Sequence, residues 1–212
     1  MTYTQITFIT RKRLIMATST SNFQKHQHRN PIQRYLINNF YEEFFKMIKR
    51  AKPEKILDVG CGEGVTLNRI KQMKIGKKLE GVDNFDEAIR IGKETFPDLT
   101  LKKADIYDLP YKDNSFDMVL CNEVLEHLEK PQNAIKELMR VSNKYLLLSV
   151  PNEPWFQLAN FLRGRHVTRL GNHPEHIQHW SHSQFEKFLK KNKLKVRDKK
   201  LPFAWTLVLV QK

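Results

Sequence analysis

Two groups of residues have types and spacing suited to chemistry. The first joins glycines to acids. ILDVGCGEG (56–64) carries Asp58, then Gly60, Gly62 and Gly64 at alternate positions with Cys61 inside the run. Glycines so placed permit a tight turn and the close approach of a ligand to the backbone. Asp83 follows 25 residues after Asp58, where an acid can accept both hydroxyls of a ribose. Asp105 follows in turn, and a carboxylate there can take an adenine amino group. The second group is EVLEHL (123–128). Glu123, Glu126 and His127 stand at i, i+3 and i+4, one face if the stretch is helical. Two carboxylates and an imidazole can hold a divalent metal such as Mg or Zn with open positions, and that metal would lower the pKa of a bound hydroxyl. Without a metal, Glu126 and His127 are the candidate acid–base catalysts, or His127 only orients substrate or packs under the sheet edge.

The elements around these groups alternate. Short apolar runs at 55–59, 79–83, 99–102, 116–121 and 144–150 read as strands, with helices at 64–73, 86–95 and 131–141 between them. Asn30-Pro31 signals a preceding helix, Asn as N-cap and Pro in the first turn, with Ile32, Tyr35, Leu36, Phe40, Phe44 and Ile48 on its apolar face. A last helix at 183–191 and two strands near 194–200 and 204–211 close the chain, the strands near enough in sequence to pair antiparallel. The expected fold is α/β: a Rossmann-like, seven-stranded, mostly parallel sheet with an antiparallel C-terminal strand and helices on both faces. Asp58, Asp83 and Asp105 then share the carboxyl edge, where open α/β sheets bind ligands. Asp58 there suits an ammonium, directly or through water, and would repel a pyrophosphate. That favours S-adenosylmethionine over a dinucleotide.

ILDVGCGEG, GVDNF (81–85), ADIYDLPYKDNSFDMVLCNEVLEHL (104–128) and LLLSVPN (146–152) resemble the successive motifs of the class I S-adenosylmethionine-dependent methyltransferases. Their style is most similar to the broad family that includes quinone-biosynthesis O-methyltransferases. The resemblance covers about residues 50–152 and implies roles residue by residue. Gly60, Cys61 and Gly62 line the methionine moiety, Asp83 binds the ribose, and Asn84 and Phe85 flank the adenosine. Asp105 and Ile106 contact the adenine, and Asn122 lies beside the methyl donor. Glu123, Glu126 and His127 resemble the Glu-x-x-Glu-His site of ubiquinone-pathway O-methyltransferases, although an E-H-[LV] string is common in members without metal. His176, with Trp180 and Ser181 after it, resembles the later His of the metal set in small-RNA 3′-terminal 2′-O-methyltransferases.

Net charge qualifies the acceptor. The 212 residues carry 37 Lys+Arg and 23 Asp+Glu, a formal +14, which suggests an anionic partner. Residues 1–41 contribute six cations and no acid, and residues 187–212 nine cations and one acid. The body between them is neutral. Residues 1–29 are expected to be a basic, disordered lead-in: a solvated tail, with weak features of a transit peptide and a second candidate start at Met16. Residues 30–212 are expected to form a single methyltransferase domain. Its substrate lid is placed at 151–182, bearing Trp155, Phe156, Phe161, Arg163, Arg165, His166 and Arg169, then His173, His176, His179 and His182. No apolar run is long enough for a transmembrane helix. Cys61 and Cys121 lack nearby partners and read as reduced thiols, which places the protein in the cytoplasm.

The leading expectation is methyl transfer from S-adenosylmethionine to an oxygen of a small-molecule acceptor, with metal assistance from Glu123, Glu126, His127 and His176. The alternative is an RNA 2′-O-methyltransferase using the same metal set and the basic ends. An N/D-P-P-Y motif of adenine- or amide-methylating enzymes is absent, CNEV (121–124) standing in its place. A non-enzymatic, partner-binding use of the fold is a third reading, disfavoured by the intact cofactor residues.

Overall fold

The computed structural model describes residues 31–153, 155–157 and 176–212. The expected N-terminal lead-in, the Asn30 cap and most of the expected lid, including Phe161, Arg163, Arg165, His166, Arg169 and His173, lie outside them.

The chain opens with α1 (Pro31–Ala51) and then alternates β1 (Lys55–Val59), α2 (Val65–Gln72), β2 (Lys78–Asp83), α3 (Asp86–Thr95), β3 (Thr100–Lys103) and β4 (Phe116–Asn122). A single 3₁₀ turn (Leu125–His127) leads to α4 (Pro131–Val141) and β5 (Ser142–Pro151), and α5 (His182–Lys191), β6 (Lys195–Lys200) and β7 (Trp205–Gln211) complete it. The seven strands lie in the order β3-β2-β1-β4-β5-β7-β6. β1 pairs in parallel with β2 and β4, as do β2 with β3 and β4 with β5, while β7 runs antiparallel to both of its neighbours. The sheet is therefore mostly parallel with one reversed strand, as the strand–helix rhythm requires.

Alternate residues of the central strands feed two cores, because successive side chains point to opposite faces. Leu57, Val59, Val119, Cys121, Leu146 and Leu148 pack with Ile135 and Leu138 of α4 and with Phe185 and Leu189 of α5. Ile56, Met118, Leu120 and Leu147 pack instead with Phe40, Phe44, Met47 and Ile48 of α1 and with Ile70 of α2. Asp58, two residues after Ile56 on β1, belongs to the register of that second face.

Local signals set the starts of two helices. α4 begins at Pro131, and Ser181 and Gln184 form a reciprocal capping box at the start of α5, one residue earlier than the sequence reading. α1 departs from its expected apolar stripe. Tyr35 is 70% exposed, and the buried contact begins only at Phe40, which meets Trp205 at 5.4 Å between ring centroids. Both cysteines are free and buried. Among the described residues no helix is long and apolar enough to cross a membrane.

Candidate active site

The glycine turn between β1 and α2 is shaped by its neighbours. Gly60 has φ +76°, and a Cβ built on it would lie 2.3 Å from Cγ2 of Val124. Only glycine fits both that backbone and that contact. The same contact places the loop after β4 directly against the turn. The Gly60 and Cys61 N–H groups both donate to the Val82 carbonyl, at 2.8 and 3.1 Å, which fastens the turn to β2.

This fastening orients Asp83. Gly62 N–H donates to its Oδ2 at 2.8 Å and Phe85 N–H to its Oδ1 at 2.9 Å. A carboxylate oxygen accepts more than one hydrogen bond, so each Asp83 oxygen keeps acceptor capacity for a vicinal diol. Asp58 ends its strand nearby and is 2% exposed. Burial, and then the charge of Asp83, push its carboxyl up to about 7. Such a site welcomes a cation, which would restore the ionised form. At the adjoining ends of β4 and β5, Asn122 and Ser149 stand in register. The Asn122 Oδ1 and Ser149 Oγ atoms are buried with no hydrogen-bond partner among the described residues. Buried acceptors of this kind need a donor, and a ligand ammonium would supply one.

Asn84 and Phe85 are exposed at the start of α3, Phe85 at 67%. Asp105 is exposed and its Oδ1 accepts from Tyr107 N–H at 2.9 Å, while Ile106 packs against the larger core. All these residues follow the carboxyl ends of β2 and β3, as the sequence placed them. Burial pushes the Cys61 and Cys121 thiols well above the ordinary range, leaving them poor nucleophiles.

Tyr41 of α1 is a residue that the sequence reading passed over. Its hydroxyl meets Thr66 Oγ1 at 3.1 Å in the first turn of α2, under the guanidinium of Arg69, 4.3 Å from the ring centroid. Burial above all pushes that hydroxyl up to about 12, with Asp58 and Glu123 adding to the rise. α1 thus reaches the glycine turn as well as the core.

The second expected group is rearranged. The expectation for Glu123, Glu126 and His127 assumed one helical face. Instead, Glu123 has φ +54° and its N–H donates to the Ser149 carbonyl at 3.1 Å, and the helical geometry is confined to the turn at 125–127. The i, i+3, i+4 relation therefore fails, and Glu123 stands outside the cluster that forms. That cluster is Glu126, His127 and His176, whose ligand atoms all lie within 4.8 Å of one another. His176 arrives because the Ile177 and Gln178 N–H groups both donate to the Glu126 carbonyl, at 2.8 and 2.9 Å, and Gln178 Nε2 donates to the Leu128 carbonyl at 3.0 Å. The rings of His127 and His176 meet edge to face at 5.0 Å, and Phe156 stacks on His176 at 5.6 Å. One carboxylate and two imidazoles make a borderline donor set that suits Zn and related divalent ions.

Glu153, just past β5, was also missed. Its Oε1 lies 2.7 Å from His176 Nδ1 and 3.6 Å from His179 Nδ1. The signal available was an acid directly after a strand buried on both faces, in VPNE (150–153).

Residues 57–145 match a family described as "Methyltransferase domain". The chain is 37% identical over 102 residues to an uncharacterized methyltransferase of Schizosaccharomyces pombe, a stretch covering 43% of this chain and 37% of that protein. The matched segment, residues 57–145, thus has the sequence of a methyltransferase domain, and the fold around it is that of the class I S-adenosylmethionine-dependent methyltransferases. The methyltransferase domain is also 31% identical over 97 residues to norajmaline N-methyltransferase of Rauvolfia serpentina, covering 43% of this chain and 33% of that one. The chain thus spans less than half the length of these curated relatives. The magnesium protoporphyrin IX methyltransferase of Synechocystis, solved with SAH bound, overlays with a TM-score of 0.66 over 95% of this chain and 99% of that one. At 15% identity that likeness is one of fold.

Proposed function

We propose that this methyltransferase domain transfers a methyl group from S-adenosylmethionine to a hydroxyl oxygen of a small-molecule acceptor, with a divalent metal held by Glu126, His127 and His176. The observation that carries this reading is the contact of Val124 with Gly60. It sets the loop bearing Glu126 and His127 directly against the turn where the cofactor's methionine end would lie.

The chain's residues divide the work. Asp83, fixed from both sides by backbone N–H groups, accepts the ribose hydroxyls. Asp58 and Asn122 take the ammonium, with Gly60, Cys61 and Gly62 against the methionine backbone. Asn84 and Phe85 flank the adenosine, and Asp105 and Ile106 the adenine. S-adenosylmethionine supplies an electrophilic methyl on a sulfonium, whose C–S bond breaks with the electron pair left on sulfur. A bound divalent ion supplies Lewis acidity that makes an acceptor hydroxyl easier to deprotonate. Glu126, His127 and His176 hold that ion, and the aromatic Phe156 beside His176 excludes water.

The neutral body supports a small acceptor over a polyanion. Most of the C-terminal cations lie on α5 and on β6, the outer strand of the sheet, with β4, β5 and β7 between β6 and β1. Two measurements test the reading. Calorimetry should show S-adenosylmethionine binding that Asp83→Ala weakens at least about tenfold, since removing a charged hydrogen-bond acceptor costs about 1.5–3 kcal/mol. Unchanged binding by that variant sinks the cofactor assignment. Transfer to a panel of hydroxyl acceptors should stop with a chelator and return with Mg or Zn. Chelator-insensitive transfer, or transfer confined to nitrogen or carbon acceptors, sinks the metal-assisted oxygen chemistry.

A further inference from the structure

The buried pair Glu153–His176 has a geometry that loop anchoring alone does not require. Both side chains are almost fully enclosed, at 6% and 5% exposure, and they meet at 2.7 Å through one specific nitrogen, Nδ1. A carboxylate is an acceptor only, so His176 donates Nδ1–H to Glu153 Oε1. The tautomer this selects puts the ring's acceptor lone pair on the opposite nitrogen, Nε2. The ring cannot turn freely to exchange the two, because Phe156 stacks on one side of it and His127 meets it edge-on. Glu153 is fixed in its own right. Its N–H donates to the Trp180 carbonyl at 2.9 Å, which ties the end of β5 to the segment that carries His176. Its second oxygen, Oε2, is buried with no hydrogen-bond partner among the described residues. A carboxylate so enclosed gains from positive charge close by.

We infer that Glu153 is a positioning residue for a metal centre: it fixes His176 as the Nδ1–H tautomer and presents Nε2 to a divalent cation shared with Glu126 and His127. The inference rests on the metal part of the proposed function and adds a residue and an atom to it. The pairing is the one that metal-binding histidines generally make, a carboxylate behind the imidazole that orients it and raises its basicity. His179, 3.6 Å from the same Glu153 oxygen and 42% exposed, is the outer member of the group. Its place on the solvent side makes it dispensable for the cation.

The test is Co²⁺ titration of the full chain, followed by the visible absorption of the bound ion. S-adenosylmethionine affinity and circular dichroism serve as controls. The wild-type protein should bind one equivalent. Glu153→Gln should bind about 10–100-fold more weakly with an altered absorption band, while keeping its fold and its cofactor affinity. Glu153→Asp, which keeps the charge, should recover part of the affinity, and His179→Ala should bind as wild type does. Equal affinity and an identical band in Glu153→Gln overturn the inference and leave the metal reading standing. No cobalt binding by the wild-type protein overturns both. Should Glu153→Gln fail to fold, long-range nitrogen–proton NMR of the His176 ring in the wild-type protein decides. An Nδ1–H tautomer is the expected result, and an Nε2–H tautomer overturns the inference.

Discussion

Asp58 shows how one side chain can exchange stability for binding. Its carboxyl, pushed up to about 7 by burial and by Asp83, lies far above its unfolded value of about 3.9. The neutral form thus persists in the free protein up to about neutral pH. The stability linked to this raised value is fully present below the unfolded pKa and is lost as pH rises through about 7. Asp58→Asn mimics the neutral acid, so its Tm should exceed that of wild type at pH 8 and converge with it near pH 3, as differential scanning calorimetry would record. Cofactor binding should respond in the opposite sense. A ligand ammonium prefers the ionised carboxylate, so wild-type affinity for S-adenosylmethionine should fall as pH drops below about 7, approaching tenfold per unit. The Asn variant should show a weak, flat profile. A wild-type affinity independent of pH between 5 and 8 would remove Asp58 from the ammonium site.

At the scale of elements, the turn between β1 and α2 depends on its contact with the loop after β4. Gly60→Ala places a Cβ 2.3 Å from Val124 at a φ of +76°. Left-handed backbone costs a non-glycine residue roughly 1–2 kcal/mol, and overpacking typically adds about 1–3 kcal/mol. The variant should melt earlier by an amount in that combined range, and it should lose cofactor affinity because Val124 must move. Adding Val124→Ala should recover much of both losses, since it removes the atoms that clash. A double variant no better than the single one would place the strain in the backbone alone. α1 belongs to the same assembly. Phe40, Phe44 and Ile48 hold it on the sheet, which brings the Tyr41 hydroxyl to Thr66 in the first turn of α2.

At the scale of the molecule, and among the described residues, the C-terminal cations and the candidate chemistry are separated. The exposed cations Lys187, Lys190 and Lys195 belong to α5 and to the start of β6, and a lysine-rich outer strand also guards an open sheet edge against pairing with another chain. A Lys187→Ser, Lys190→Ser, Lys195→Ser variant should keep S-adenosylmethionine affinity within about twofold of wild type at both low and physiological salt, as expected for distant, independent sites. A large loss would mean that the basic end contributes to the cofactor site.

The sequence by itself determined the strand–helix rhythm, the single reversed strand and the sheet edge that carries Asp58, Asp83 and Asp105. Each of these rests on local rules: buried parallel strands are continuous apolar runs, glycine alone tolerates the turn at Gly60, and acids at or just past the carboxyl ends of β1, β2 and β3 must share one edge of the sheet. Only the tertiary structure decided the composition of the second cluster. Spacing along a helix nominated Glu123, but the left-handed backbone at that residue breaks the helical face. His176 joins Glu126 and His127 across about fifty residues of chain through backbone hydrogen bonds to Glu126, and Glu153 meets His176 from the end of β5. Contacts of that kind depend on where separate elements come to rest against one another, and residue spacing does not encode it.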